Sequence, residues 1–204
     1  MFKSKEIRWF SQTEEKQITQ WFNDQGLDFA TTDARTDFYL PLPEKKDMGI
    51  KLREGNIEAK CRTSIPKIGK LTDHAEGYFE EWVKWSFNVN KDDPLSESII
   101  KEKKYSWIEV YKERVGRKLT KDEKGKTKWL SIKDRIPFGC QVEYTRILIK
   151  GQQWFTFGLE WFGNEYLELD LKIATEILGV SSLKKEKSMG YAEFLNMNFR
   201  EIQS

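Results

Sequence analysis

Gly49-Ile50-Lys51-Leu52-Arg53-Glu54-Gly55-Asn56-Ile57-Glu58-Ala59-Lys60-Cys61-Arg62 reads as two strands and the turn that joins them. Side chains alternate between the faces of a strand, so Ile57, Ala59 and Cys61 share one face while Glu58, Lys60 and Arg62 share the other. Ile50 and Leu52 alternate with Lys51 and Arg53 in the same way. Arg53-Glu54-Gly55-Asn56 has the residues of a tight hairpin turn, and Lys150-Gly151-Gln152 is a second. Strands joined by such short turns must pair antiparallel.

Outward from this hairpin, period-two patterning predicts further strands over Lys5–Phe10, Asp37–Leu42, Tyr78–Asn88, Tyr105–Val115, Ile136–Lys150 and Gln153–Gly163. Helical signals are fewer. Ser11-Gln12-Thr13-Glu14 has the form of a capping box before Ile18, Trp21 and Phe22, with Gly26 as the stop. A second helix is predicted from Asp93-Pro94 to Lys103, with Leu95, Ile99 and Ile100 on one side. A third runs from Glu165 to Leu178, and a short one covers Tyr191 to Asn196. The expected fold class is α+β, mainly β: an eight-stranded antiparallel β-barrel, tunnel-like, with helices packed outside. No linker or repeat divides the 204 residues, so one domain over 1–204 is expected.

Composition excludes several function classes. The 35 basic and 33 acidic side chains leave a formal net charge of +2, which removes the general argument for a nucleic-acid partner. No apolar run reaches the roughly 18 residues of a membrane helix, and Met1-Phe2-Lys3-Ser4-Lys5-Glu6 lacks the apolar stretch of a signal peptide. A soluble, cytoplasmic protein is therefore expected. One histidine, His74, and two cysteines, Cys61 and Cys140, argue against zinc, imidazole or thiol chemistry. The stretch from Lys118 to Lys128 mixes lysines with Asp122 and Glu123 and reads as a mobile charged loop.

A closed sheet turns one set of alternating residues inward. With the apolar set packed outward against the helices, the lumen would hold Lys51, Arg53, Glu58, Lys60, Arg62, Lys112, Arg114, Glu143 and Glu160. So many confined charges call for a polyanion to meet the cations and a divalent metal to meet the carboxylates. The same alternation also describes a sheet whose charged face looks into water. Paired basic residues recurring on adjacent strands favour the inward arrangement.

In order along the chain, these segments resemble the CYTH-like, triphosphate tunnel superfamily. The residues that carry the resemblance are Arg35-Thr36-Asp37-Phe38-Tyr39-Leu40, Gly49 to Gly55, Ile57 to Arg62, and Val110-Tyr111-Lys112-Glu113-Arg114. Val142-Glu143, Leu159-Glu160 and Lys187-Ser188-Met189-Gly190-Tyr191 extend it towards the C-terminus. The resemblance implies a barrel acting on inorganic triphosphate or a small phosphorylated molecule with Mg²⁺ or Mn²⁺. Arg8, Lys51, Arg53, Lys60, Arg62, Lys112 and Arg114 are then the candidate substrate-binding residues. Lys60 and Lys112 are the candidate catalytic lysines, and Glu6, Glu58, Glu143 and Glu160 the candidate metal ligands. One strand departs from the pattern. Where the family opens with ExExK, Glu6 matches the first Glu, but Arg8 and Phe10 replace the second Glu and the Lys. Two functions stay open: a metal-dependent triphosphatase, or a binding module without turnover. A barrel that serves only structure or partner binding is a third.

Overall fold

The computed structural model describes residues 1–32, 34–89, 93–163, 165 and 167–199. Its strands are β1 (Phe2–Ser11), β2 (Ala34–Leu40), β3 (Met48–Arg53), β4 (Asn56–Arg62), β5 (Lys67–Thr72), β6 (Ala75–Asn88), β7 (Ile108–Lys121), β8 (Thr127–Ser131), β9 (Gly139–Ile149) and β10 (Gln152–Phe162). The helices are α1 (Lys16–Asp24), α2 (Pro94–Ile100), α3 (Leu171–Leu178) and α4 (Tyr191–Asn198). Eight strands follow one another in the order β1-β10-β9-β7-β2-β3-β4-β6, and β6 pairs back onto β1, so the sheet closes. Every pairing is antiparallel. The expected mainly-β antiparallel barrel is the one observed.

The two hairpin turns have the geometry their sequences require. Glu54 and Gly55 have φ of 50° and 75°, and Lys150 and Gly151 have 47° and 78°. Positive φ at both central residues matches the twist of the flanking strands. The expected strand at Tyr105 begins instead at Ile108, because Lys104–Ser106 forms a 3₁₀ turn. It also continues to Lys121, and the expected loop at 118–128 is the β7–β8 hairpin. Leu119, 1% exposed, and Trp129, packed on Trp21, anchor that hairpin in the core. The strand expected from Ile136 starts at Gly139.

Ser11 belongs to β1 rather than capping α1; its hydroxyl accepts from the Thr13 amide, and Glu15 precedes the helix without a side-chain cap. In α2 Asp93 caps as expected, yet only Ile99 of the expected apolar face is buried, while Leu95 and Ile100 are exposed. Helix α3 begins at Leu171 with Asp170 as its cap; Tyr166, inside the expected helix, lies outside the described residues. No helix among the described residues is long and apolar enough to cross a membrane.

Three helices pack on the outer wall. Ile18, Trp21 and Phe22 of α1 and Ile177 and Leu178 of α3 cover Ile7, Trp9, Val142 and Leu159. Ile99 of α2 meets Phe38 and Leu52. Helix α4 does something different. Phe194 and Leu195 join Phe10, Tyr39, Ile108, Val110, Ile147 and Ile149, which alternation places on the inward face. This apolar layer plugs one end of the barrel. Phe10 therefore lies in the plug, stacked on Phe194 with ring centroids 3.9 Å apart, and not among the charged residues. Phe194→Ala removes a fully buried ring and should cost about 3–5 kcal/mol in urea unfolding. A loss under about 1 kcal/mol would mean that α4 does not seal the barrel.

Candidate functional site

Above the plug the inward faces turn polar and enclose a cavity of about 140 Å³. Its lining brings Arg8 of β1, Arg35 of β2, Lys51 and Arg53 of β3, Lys60 of β4, Lys84 of β6, and Lys112 and Arg114 of β7 together with Glu6, Glu58, Glu143 and Glu160. Tyr191, the first residue of α4, forms the floor, with the Lys112 ammonium 4.0 Å and the Arg8 guanidinium 5.1 Å from its ring centre. Away from α4 the cavity opens into a vestibule of about 980 Å³ rimmed by Lys3, Lys118 and Arg135. Arg53, Lys84 and Arg114 line both spaces, so the vestibule is the way in.

Four carboxylates organise the cations. Asp37 is fully buried beneath the lining; its Oδ2 accepts from Lys112 Nζ at 2.8 Å, and its Oδ1 from Arg35 Nε at 3.2 Å. Lys51 Nζ lies 3.6 Å from Asp37 Oδ2 and 3.1 Å from Glu58 Oε2, and Arg53 also donates to Glu58. Glu143 accepts from Arg8 NH2 at 2.6 Å, from Gln141 at 2.8 Å and from Arg114 at 3.3 Å. Glu6 accepts from Lys60 and from Ser4. Burial works against each of these carboxylates, but the adjoining cations win and hold Asp37, Glu143, Glu58 and Glu6 below the usual range.

Two groups move the other way. Burial, and then the negative charge of Glu6, push the Glu160 carboxyl up to about 7. Glu6 and Glu160 face each other across β1 and β10, and Glu160 forms no ion pair among the described residues. Burial likewise drives the Lys112 ammonium down to about 7, against the pull of Asp37. Lys112 also donates to the Tyr39 hydroxyl at 2.7 Å.

Of the residues expected from sequence, Arg62 alone is not part of the lining; it donates to Glu80 at 2.5 Å, and Glu80 lies against Gly190 at the start of α4. Arg35, Asp37, Tyr39, Lys84 and Tyr191 are not among the site residues expected from sequence. Strand parity places Asp37 with Arg35 and Tyr39, and Lys84 with Trp82, so the same alternation contained the signal. Three of the four expected metal ligands, Glu6, Glu58 and Glu143, are each engaged by Lys or Arg. Among the described residues no three His, Cys, Asp or Glu side chains converge as a metal site does.

No protein-family model matches the chain, and no curated protein matches it. Among solved structures, a conserved hypothetical protein from Pyrococcus furiosus is similar over 93% of this chain and 98% of its own, at 13% identity and a TM-score of 0.37. The functional reading therefore rests on the chemistry of the cavity.

Removing Asp37 strands the buried Lys112 and deprives Lys51 and Arg35 of a partner. Asp37→Ala should cost about 3–5 kcal/mol in denaturant unfolding at neutral pH. In the native protein the Asp37 and Glu143 carboxyls titrate below their unfolded values. The stability they confer is present in full above about pH 4–5 and drains away as the pH falls below it. An acid-insensitive Tm between about pH 5 and pH 2 would contradict this.

Proposed function

We propose that the cavity binds a phosphorylated polyanion, inorganic triphosphate or a small organophosphate, entering through the vestibule. One observation carries this reading: eight Lys and Arg side chains share a one-ended cavity with four Glu, and Asp37 beneath them does not close the gap. Confined cations in excess bind an anion whose oxygens accept several charge-assisted bonds at once. Two further observations support it. Among the described residues four buried side-chain polar atoms have no hydrogen-bond partner, and two of them, Thr145 Oγ1 and Trp82 Nε1, belong to residues of the lining. Both can donate to an acceptor in the cavity. The resemblance of the strand motifs to the CYTH-like superfamily, whose members act on triphosphates, points the same way.

A second reading, hydrolysis of the bound anion, is favoured by Lys112. An ammonium titrating at about 7 can hand its proton to a departing phosphate oxygen as water attacks phosphorus. Lys60, which donates to Glu6, would help to place the anion.

Binding to the folded state alone stabilises it by about 2.7 kcal/mol at a hundredfold excess over Kd, so tripolyphosphate should raise Tm well beyond chloride of equal ionic strength. Equal shifts would defeat the reading. Affinity should also respond to protonation of the site. As the pH falls through about 7, Glu160 loses its charge while facing Glu6, Glu143, Lys60 and Lys84. Lys112 gains its charge beside Asp37, Lys51 and Arg35 over the same range. Both changes add net positive charge. Sulfate, whose own charge is constant there, should bind more tightly on the acid side of neutrality in a calorimetric titration; the reverse slope would show that neither group faces the anion.

A further inference from the structure

Arg8 sits in the strand position where the resemblance places a metal-holding glutamate, and the barrel is shaped to receive it. The side chain is buried, with NH2 donating to Glu143 Oε1 at 2.6 Å and NH1 to Thr156 Oγ1 at 3.2 Å. Across the β1–β10 ladder its partner is Gly158. A Cβ on Gly158 would lie 2.7 Å from the Arg8 guanidinium carbon and 2.8 Å from NH2, too close for the guanidinium to stay where it is. Gly158 lies in the middle of a ladder, where glycine weakens a strand, and its φ is not of the kind that favours glycine. What the missing side chain provides is room for the guanidinium.

Of the four glutamates in the lining, all but Glu160 are also committed. Glu143 is shared by Arg8 and Arg114, Glu58 by Lys51 and Arg53, and Glu6 is taken by Lys60. A divalent ion would have to displace these cations from the oxygens it needs, next to a guanidinium that stays charged at any working pH. We infer that the cavity holds its phosphorylated anion without a divalent metal, with Arg8, positioned by Glu143, Thr156 and the clearance at Gly158, as the fixed cation of the site. The guanidinium has five N–H donors, and the two bonds above leave others for phosphate oxygens. This inference rests on the anion-binding reading above.

The test is a calorimetric titration of the full chain with inorganic tripolyphosphate, in EDTA and in excess Mg²⁺. Binding is expected in EDTA, and Mg²⁺ should leave Kd within about threefold or weaken it, since the metal lowers the charge of the free ligand. Gly158→Ala adds a methyl group and changes no charge. By pushing the guanidinium off Glu143 it should weaken binding about tenfold or more in EDTA, as should Arg8→Gln, the scale of one charge-assisted hydrogen bond. Thermal unfolding of each variant confirms that the barrel has formed. Binding seen only with Mg²⁺, or tightened about tenfold by it, overturns the inference and leaves the anion-binding reading standing. Unchanged affinity in a folded Gly158→Ala and a folded Arg8→Gln overturns the role given to Arg8. No binding in either buffer removes both the inference and the reading beneath it.

Discussion

Closing a sheet around its own charged residues is possible only if those charges are neutralised where water is scarce. In this barrel the neutralising groups are few and specific: Asp37, wholly buried, holds Lys112, Lys51 and Arg35 from below, and Glu143 ties Arg8 to Arg114 across the lumen. Opposite charges a few ångströms apart in a poorly hydrated space attract strongly, but each has also lost its water. Further hydrogen bonds complete the sets: Lys112 donates to the Tyr39 hydroxyl, Arg8 to the Thr156 hydroxyl, and Gln141 to Glu143. The network is therefore a condition of the fold before it is a property of a site. The cations it leaves over are the ones the proposed anion would meet.

Polarity changes along the lumen rather than between the two faces of each strand. On β1 the inward residues run Phe10, Arg8, Glu6, Ser4, and on β9 they run Ile149, Ile147, Thr145, Glu143, Gln141. The apolar ends of these rows meet Phe194 and Leu195 of α4, and the polar ends open into the vestibule. A helix capping one end thus serves two purposes. It supplies the barrel with an inner core, and its first residue, Tyr191, places an aromatic floor under the two deepest cations. The cavity is thus open towards the vestibule and closed at the end where Lys112 and Arg8 lie over Tyr191.

The eight strands that form the barrel were legible in the sequence because each carries a period-two pattern bounded by turn residues. The two strands that were not, β5 and β8, lie outside the closed sheet. β5 is short and contains Gly69, and β8 lies in a lysine-rich stretch where its two apolar residues, Trp129 and Leu130, are adjacent and show no alternation. Parity also brought most of the cavity's charges together, since the face a residue occupies follows from counting. Depth does not. Arg62 has the same parity as Lys60 but lies one step nearer α4, where Glu80 takes it. Phe10 has the parity of Arg8 but lies in the plug. Where a residue falls along the barrel axis depends on stagger and on where α4 docks, and neither is written in a local pattern.

Arg8 and Gly158 make sense only as a pair. A guanidinium added to a crowded lumen raises its charge and needs volume, and a glycine in the middle of a long strand gives up side-chain packing. Far apart in the chain, they are opposite one another in the ladder, and the space one vacates is the space the other fills. Glu143 stands on the next strand, opposite the same glycine, with its carboxylate against the guanidinium. Three neighbouring positions on three strands thus agree in volume, charge and hydrogen bonding. An arginine merely tolerated there would need none of this agreement; it could have turned towards the vestibule and water. Its position is built into the wall, and any ligand of this cavity meets it in place.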